Sequence, residues 1–234
     1  MTPFIAELVG TTVLITLGLS VVANVALDKT KGQNAGLIVV GFAWAIAVFV
    51  GVFISADISG AHLNPAVTIA LAVAGKFEWG LVPGYILAQF LGAFSGALLT
   101  WLTYKGHFDA SKDPASILGV FSTGPAIRNS MQNLMTEAIA SFIFMLAVFF
   151  IQAGEVKLGS IDALPVALLV LGIGLSMGGP TGYAINPARD LGPRIMHALL
   201  PIPHKGSSDW KYAFIPVVGP VLGAVLAAFL YMAL

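Results

Sequence analysis

The chain has 234 residues, of which 58% are hydrophobic and 9% charged, whereas soluble domains carry roughly 25% charged residues. A soluble class is excluded and an integral membrane protein is expected. The formal net charge is zero with no cysteine, which leaves no basic footprint for nucleic acid, no disulfide and no thiolate metal site.

Six apolar stretches are long enough to cross about 30 Å of hydrocarbon as helices. In chain order they are residues 4–27, 36–56, 81–104, 131–153, 163–179 and 212–233. The first lacks a basic leader and carries Glu7, so it reads as a retained span rather than a cleaved signal, with no domain expected before it. The longest connection, 105–130, is polar and holds Gly, Pro, Ser and Asp. It reads as the link between a first repeat, about 1–104, and a second, about 131–234, within one domain.

The halves repeat weakly. Glu7 in AELVGT matches Glu137 in TEAIAS, Asn64 matches Asn186, and QFLGAFSGA from 89 matches PVVGPVLGA from 216, at offsets of 130, 122 and 127. Each half holds three spans, an odd number, so the second must enter the membrane inverted relative to the first.

Both halves contain Asn-Pro-Ala: Asn64, Pro65, Ala66 and Asn186, Pro187, Ala188. Asparagine is a good N-cap, and proline is favoured at the first helical position. About 10 helical residues follow each triplet, or ~15 Å, half a bilayer. Each triplet is therefore expected to open a half-helix, and inversion brings the two N-termini together near the midplane. The loops before them, DISGAHL and GGPTGYAI, are tolerated at that depth only if buried or lining a watery cavity. Their carbonyls would form a ladder of acceptors, the Asn amides would add donors, and two helix N-termini would add positive potential. That combination suits neutral polar solutes and repels cations.

Arg189 lies just past the second triplet, where a lipid-facing arginine costs roughly 2.5–3.5 kcal/mol on insertion scales. It must face protein or water, as a pore-lining group or in a structural ion pair; a pair with the adjacent Asp190 is disfavoured because helix neighbours point apart. On residue type alone, Trp44 reads as a lipid-facing or interfacial residue, Tyr183 as an ordinary buried tyrosine, and Gly174 in LGIGLSMGG as a helix-packing position. Gly92, Gly96, Gly219 and Gly223 read the same way. The intramembrane carboxylates Glu7 and Glu137 default to a functional reading. His62 beside the first triplet is either a pH gate or a loop brace. His107, His197 and His204 lack ligand spacing, and no cluster suggests a metal, a cofactor, a nucleophile or a phosphate loop.

Together, SGAHLNPAVT and GYAINPARDLGPR resemble the aquaporin superfamily, and within it the glycerol facilitators, across essentially the whole chain. The resemblance implies an all-α membrane fold: six transmembrane helices plus two re-entrant half-helices in an inverted repeat. It also implies a narrowest ring of Trp44, Gly174, Tyr183 and Arg189, with Gly174 widening it where water-only relatives carry histidine. Glu7 and Glu137 would then brace the re-entrant loops through their backbone N–H groups, with His62 and Asp190 in support. Asp190, Arg194 and Pro216-Val217 resemble the glycerol side of the family. Departures from it are Tyr183 for a more usual Phe, Arg194 for Lys and Val217 for Leu. The tyrosine would favour compact polar solutes such as dihydroxyacetone or undissociated lactic acid over larger polyols.

The expectation is a passive channel for small neutral solutes and water, not an enzyme, assembled as a homotetramer in the lipid bilayer of the plasma membrane. A water-selective channel and an ion-coupled transporter are the alternatives. The family orientation puts both termini in the cytoplasm. Lys76 and Lys157 fall on the terminus side, whereas Lys29, Lys31, Lys105, Lys112, Arg128, Lys205 and Lys211 fall on the other. The positive-inside rule alone predicts the reverse.

Overall fold

The computed structural model describes residues 1–152 and 161–234. Among the described residues, six helices are long and apolar enough to cross a membrane. They are α1 (Pro3–Ala26), α2 (Gly36–Ser59), α4 (Val82–Thr103), α7 (Ser130–Gln152), α8 (Leu164–Thr181) and α10 (Ile215–Ala233). Each overlaps one of the six expected spans, with boundary shifts of a few residues. The last residue of the expected fourth span, Ala153, and Lys157 lie outside the described residues.

Two shorter helices, α3 (Pro65–Val73) and α9 (Pro187–Leu199), begin at the Asn-Pro-Ala triplets. With 9 and 13 residues, they reach about 14 and 20 Å, too short to cross alone. Packing repeats between the halves. Helix α1 lies against α4 and α2 as α7 lies against α10 and α8. Each half-helix packs on the last span of the other repeat, α3 on α10 and α9 on α4, while α2 meets α8 and α3 meets α9 across the centre.

Glycines permit the closest approaches. A Cβ on Gly92 would sit 2.6 Å from the Leu8 carbonyl oxygen, and one on Gly219 would sit 2.7 Å from the Glu137 Cβ. The outward faces carry Ile38, Phe42 and Ile46 on α2 and Leu222, Leu226 and Phe229 on α10, a surface suited to hydrocarbon. Six crossings leave the start of α1 and the end of α10 on one face, called here the terminal face; the link between the halves lies on the opposite face.

That link is more ordered than its polar composition suggests. It forms α5 (Lys105–Ala110) and α6 (Pro114–Phe121). Asp113 caps α6, accepting from the Ala115 and Ser116 amides at 3.2 and 3.0 Å. The Ser116 hydroxyl and these amides hold the Asp113 carboxyl below its ordinary pKa. Ile117, Val120 and Phe121 fall on one helical face and are buried, with α6 against α1 and α9. An Asp-Pro opening and an i, i+3, i+4 apolar pattern signal this helix in the sequence.

Candidate functional site

The re-entrant loops start where Gly60 and Gly182 end α2 and α8 in the left-handed conformation, φ 79° and 82°. Alternate residues beyond them also have positive φ: Ala61 and Leu63 in the first loop, Tyr183 and Ile185 in the second. Non-glycine residues held there cost on the order of 1–3 kcal/mol each, so something must hold them.

Two buried carboxylates do. Glu7 accepts from the amides of His62 (2.9 Å) and Leu63 (2.8 Å), the Ser59 hydroxyl (2.7 Å) and the Gln89 amide (2.8 Å). Glu137 accepts from the amides of Ala184 and Ile185, both at 3.0 Å, and from the Thr181 hydroxyl at 2.6 Å. These bonds offset the desolvation of a buried carboxylate. They also set carbonyl direction. In a trans peptide the C=O points opposite the N–H, so tying back the four amides turns the carbonyls of Ala61, His62, Tyr183 and Ala184 away from the carboxylates. All four residues line a cavity of about 330 Å³.

The asparagines close the centre. The Asn64 side-chain oxygen caps α3 at the Ala66 amide (2.9 Å), and that of Asn186 caps α9 at Ala188 (3.0 Å) and Arg189 (3.2 Å). Each side-chain NH2 then crosses to the other repeat, Asn64 to the Ile185 carbonyl at 2.9 Å and Asn186 to the Leu63 carbonyl at 2.8 Å. One N–H of each amide is thereby committed, and a second remains at the cavity wall.

His62 lies against Phe77 and Tyr85, with ring centroids 4.6 and 4.9 Å away, and its Nδ1 meets the Thr68 hydroxyl at 3.1 Å. Thr68 accepts from Gln89 at 3.0 Å and donates to the Asn64 carbonyl at 3.1 Å. The threonine proton is therefore spent, and the imidazole bonds as an Nδ1–H donor. Nothing in the sequence marks Thr68, Ser59 or Thr181 as braces. Gln89 carries only the weak signal of an uncharged amide inside an apolar span, which does not name its partner.

On the link-face side the cavity is lined by Trp44, Tyr183 and Arg189. The Arg189 guanidinium stacks on the Trp44 ring, 4.3 Å from its centroid. Arg189 Nη1, Trp44 Nε1 and the Tyr183 hydroxyl are buried and find no protein partner among the described residues. Gly174 is not among the lining residues. A Cβ there would sit 2.9 Å from Tyr183 Cζ, so the tyrosine ring occupies the space that the glycine vacates. The other wall of the cavity is apolar: Val48, Val52, Phe144, Val148, Val166 and Val170.

Asp190 does not pair with Arg189. It pairs four residues on with Arg194, at 2.8 Å, and both side chains are fully buried. Its other oxygen accepts from the Thr123 amide (2.7 Å) and hydroxyl (2.6 Å). Arg194 also donates to the carbonyls of Thr123 and Ser208, each at 2.8 Å. This clamp ties two link-face loops to α9, and Thr123 in turn lies against Gly182, just before Tyr183.

The family model for major intrinsic proteins matches residues 1–231. The chain belongs to the major intrinsic protein family. It is 52% identical over 231 residues to the glycerol uptake facilitator protein of Streptococcus pneumoniae, covering 99% of this chain and 98% of that one. It is 50% identical to the facilitator of Bacillus subtilis, covering 100% of this chain and 85% of the relative. Among solved structures, the aquaglyceroporin of Plasmodium falciparum superposes with a TM-score of 0.88 at 33% identity, covering 98% of this chain and 94% of that one. As a major intrinsic protein with six membrane-length helices, the chain is a multi-pass membrane protein. Its two halves are the inverted repeat of the family fold.

Proposed function

We propose that this major intrinsic protein is a passive channel for glycerol, comparably small neutral solutes and water. The observation that carries the reading is the two-sided cavity wall. One side presents backbone carbonyls, the Asn64 and Asn186 amides and Arg189; the other presents valines and Phe144. A polyol has the same two-sidedness, hydroxyls along one edge and C–H along the other, so it can exchange water for wall contacts at little cost. The names of the bacterial relatives point to the same solute.

In this reading Trp44, Tyr183 and Arg189 form the selectivity filter, with Gly174 backing the tyrosine. Asn64, Pro65, Ala66 and Asn186, Pro187, Ala188 form the central constriction. Glu7, Glu137, His62 and Asp190 hold the loops. The partnerless donors of Arg189 and Trp44 fit a permeant acceptor, and the tyrosine hydroxyl fits a carbonyl or carboxylic acid; dihydroxyacetone and undissociated lactic acid are the proposed further permeants. Two helix N-termini and an arginine around one file of water oppose protons and cations. The chain is read as a homotetramer with one pore per subunit, in the plasma membrane, with both termini cytoplasmic.

A water-selective channel is the second reading, favoured by the Tyr183 ring in the space beside Gly174 and by the Arg189–Trp44 stack. Light scattering from proteoliposomes separates the two. Inward gradients of glycerol, dihydroxyacetone and lactic acid at low pH are expected to give rapid shrinkage and then re-swelling, and sucrose shrinkage alone. Shrinkage without re-swelling in glycerol would select the water channel.

A further inference from the structure

Most interior glycines here meet a neighbouring helix. Gly92, Gly96, Gly219 and Gly223 face backbone or Cβ atoms across α1–α4 and α7–α10. Two others differ. A Cβ on Gly178 would have Tyr183 as its three nearest neighbours, with Cδ1 at 2.7 Å and Cε1 at 3.1 Å. A Cβ on Gly18 would overlap the benzo ring of Trp44, with Cε3 at 2.6 Å. Both glycines are buried, and neither lines the cavity. Real Cβ contacts essentially never fall below 3.0 Å.

We propose that Gly178 and Gly18 set the width of the constriction by recessing Tyr183 and Trp44 into the helices behind them. Gly174 and Gly178 lie one helical turn apart on the same face of α8, making a side-chain-free notch along which the tyrosine ring lies. The tyrosine backbone cannot retreat, because the next two amides are tied to Glu137. A methyl group at 178 therefore drives the ring toward the cavity, the side with free space. On α1, Gly18 does the same for Trp44, whose ring also carries the Arg189 guanidinium. These are positioning residues: they act on the permeant only through the aromatic rings. The proposal rests on the channel reading.

The test is a double-mutant cycle in proteoliposomes. Gly178→Ala is expected to slow glycerol re-swelling by about tenfold while slowing water-driven shrinkage by less than about threefold, because narrowing excludes the larger permeant first. In a Tyr183→Ala background, the same substitution should change neither rate by more than about twofold. Gly18→Ala should behave likewise and lose its effect beside Trp44→Phe, which lacks the benzo ring. Equal loss of glycerol and water flux, or an undiminished effect beside Tyr183→Ala, overturns the proposal. If Gly178→Ala alone does not reconstitute, the double variant decides: flux matching Tyr183→Ala upholds the notch, and failure to reconstitute overturns it. Wild-type protein that fails to re-swell in glycerol would sink the channel reading instead, an outcome visible before any variant is made.

Discussion

Asp190→Ala is expected to destabilise the protein by about 3–5 kcal/mol, the usual cost of stripping the partner from a buried ion. Arg194 is fully buried, and alanine leaves its charge facing only carbonyl dipoles. The same change leaves the Thr123 amide and hydroxyl without their acceptor. The unfolding temperature in detergent should fall by roughly 6–20 °C. Glycerol flux should fall with it, because Thr123 rests on Gly182 at the root of the loop that carries Tyr183 and leads into α9, where Arg189 sits. Aspartate at 190 is also within one helical turn of the α9 N-terminus, so its charge is supported by the helix dipole as well as by Arg194. A shift below about 2 °C would show that the clamp contributes nothing that packing does not already supply.

Arg189→Ala is expected to open the pore to cations. A unit charge about 5 Å from a permeating cation raises its energy by about 3 kcal/mol at an effective dielectric constant near 20, which corresponds to roughly a hundredfold in rate. Proteoliposomes loaded with a pH-sensitive dye should show proton flux rising toward that factor under an imposed potential. Glycerol flux should change far less, since the loop carbonyls and Asn amides remain. Arg189→Lys keeps the charge and loses the planar stack on Trp44, so it should retain most of the cation barrier. Proton flux at the wild-type level in Arg189→Ala would place the whole barrier at the two half-helix N-termini.

Much of this architecture is legible in the sequence because membranes restrict what a chain can do. Long apolar stretches have to be spanning helices, and an odd number of spans per repeat forces inversion. Asn-Pro opens a helix by capping and by a fixed φ, which are local effects. The half-helices from Pro65 and Pro187 therefore follow from a few residues read in isolation. The carboxylates Glu7 and Glu137 stand out for the same reason, since a charge inside an apolar span requires a partner.

What the sequence did not determine is who meets whom across the fold. Gln89, Thr68 and Thr181 look like ordinary polar residues until two helices and a loop converge on one carboxylate. Asp190 could be placed beside Arg189 but not assigned to Arg194 and Thr123, because its partners come from a helical turn and from a loop 67 residues away. Gly174 could be read as an absence that widens a ring; only the packing shows Tyr183 filling that absence, with Gly178 beneath the same side chain. Composition, periodicity and capping act over a few residues, so the sequence by itself determined the membrane class, the spans, the inversion and the half-helix starts. Aperture and bracing depend on side-chain contacts between segments far apart in the chain, and only the tertiary structure decided those.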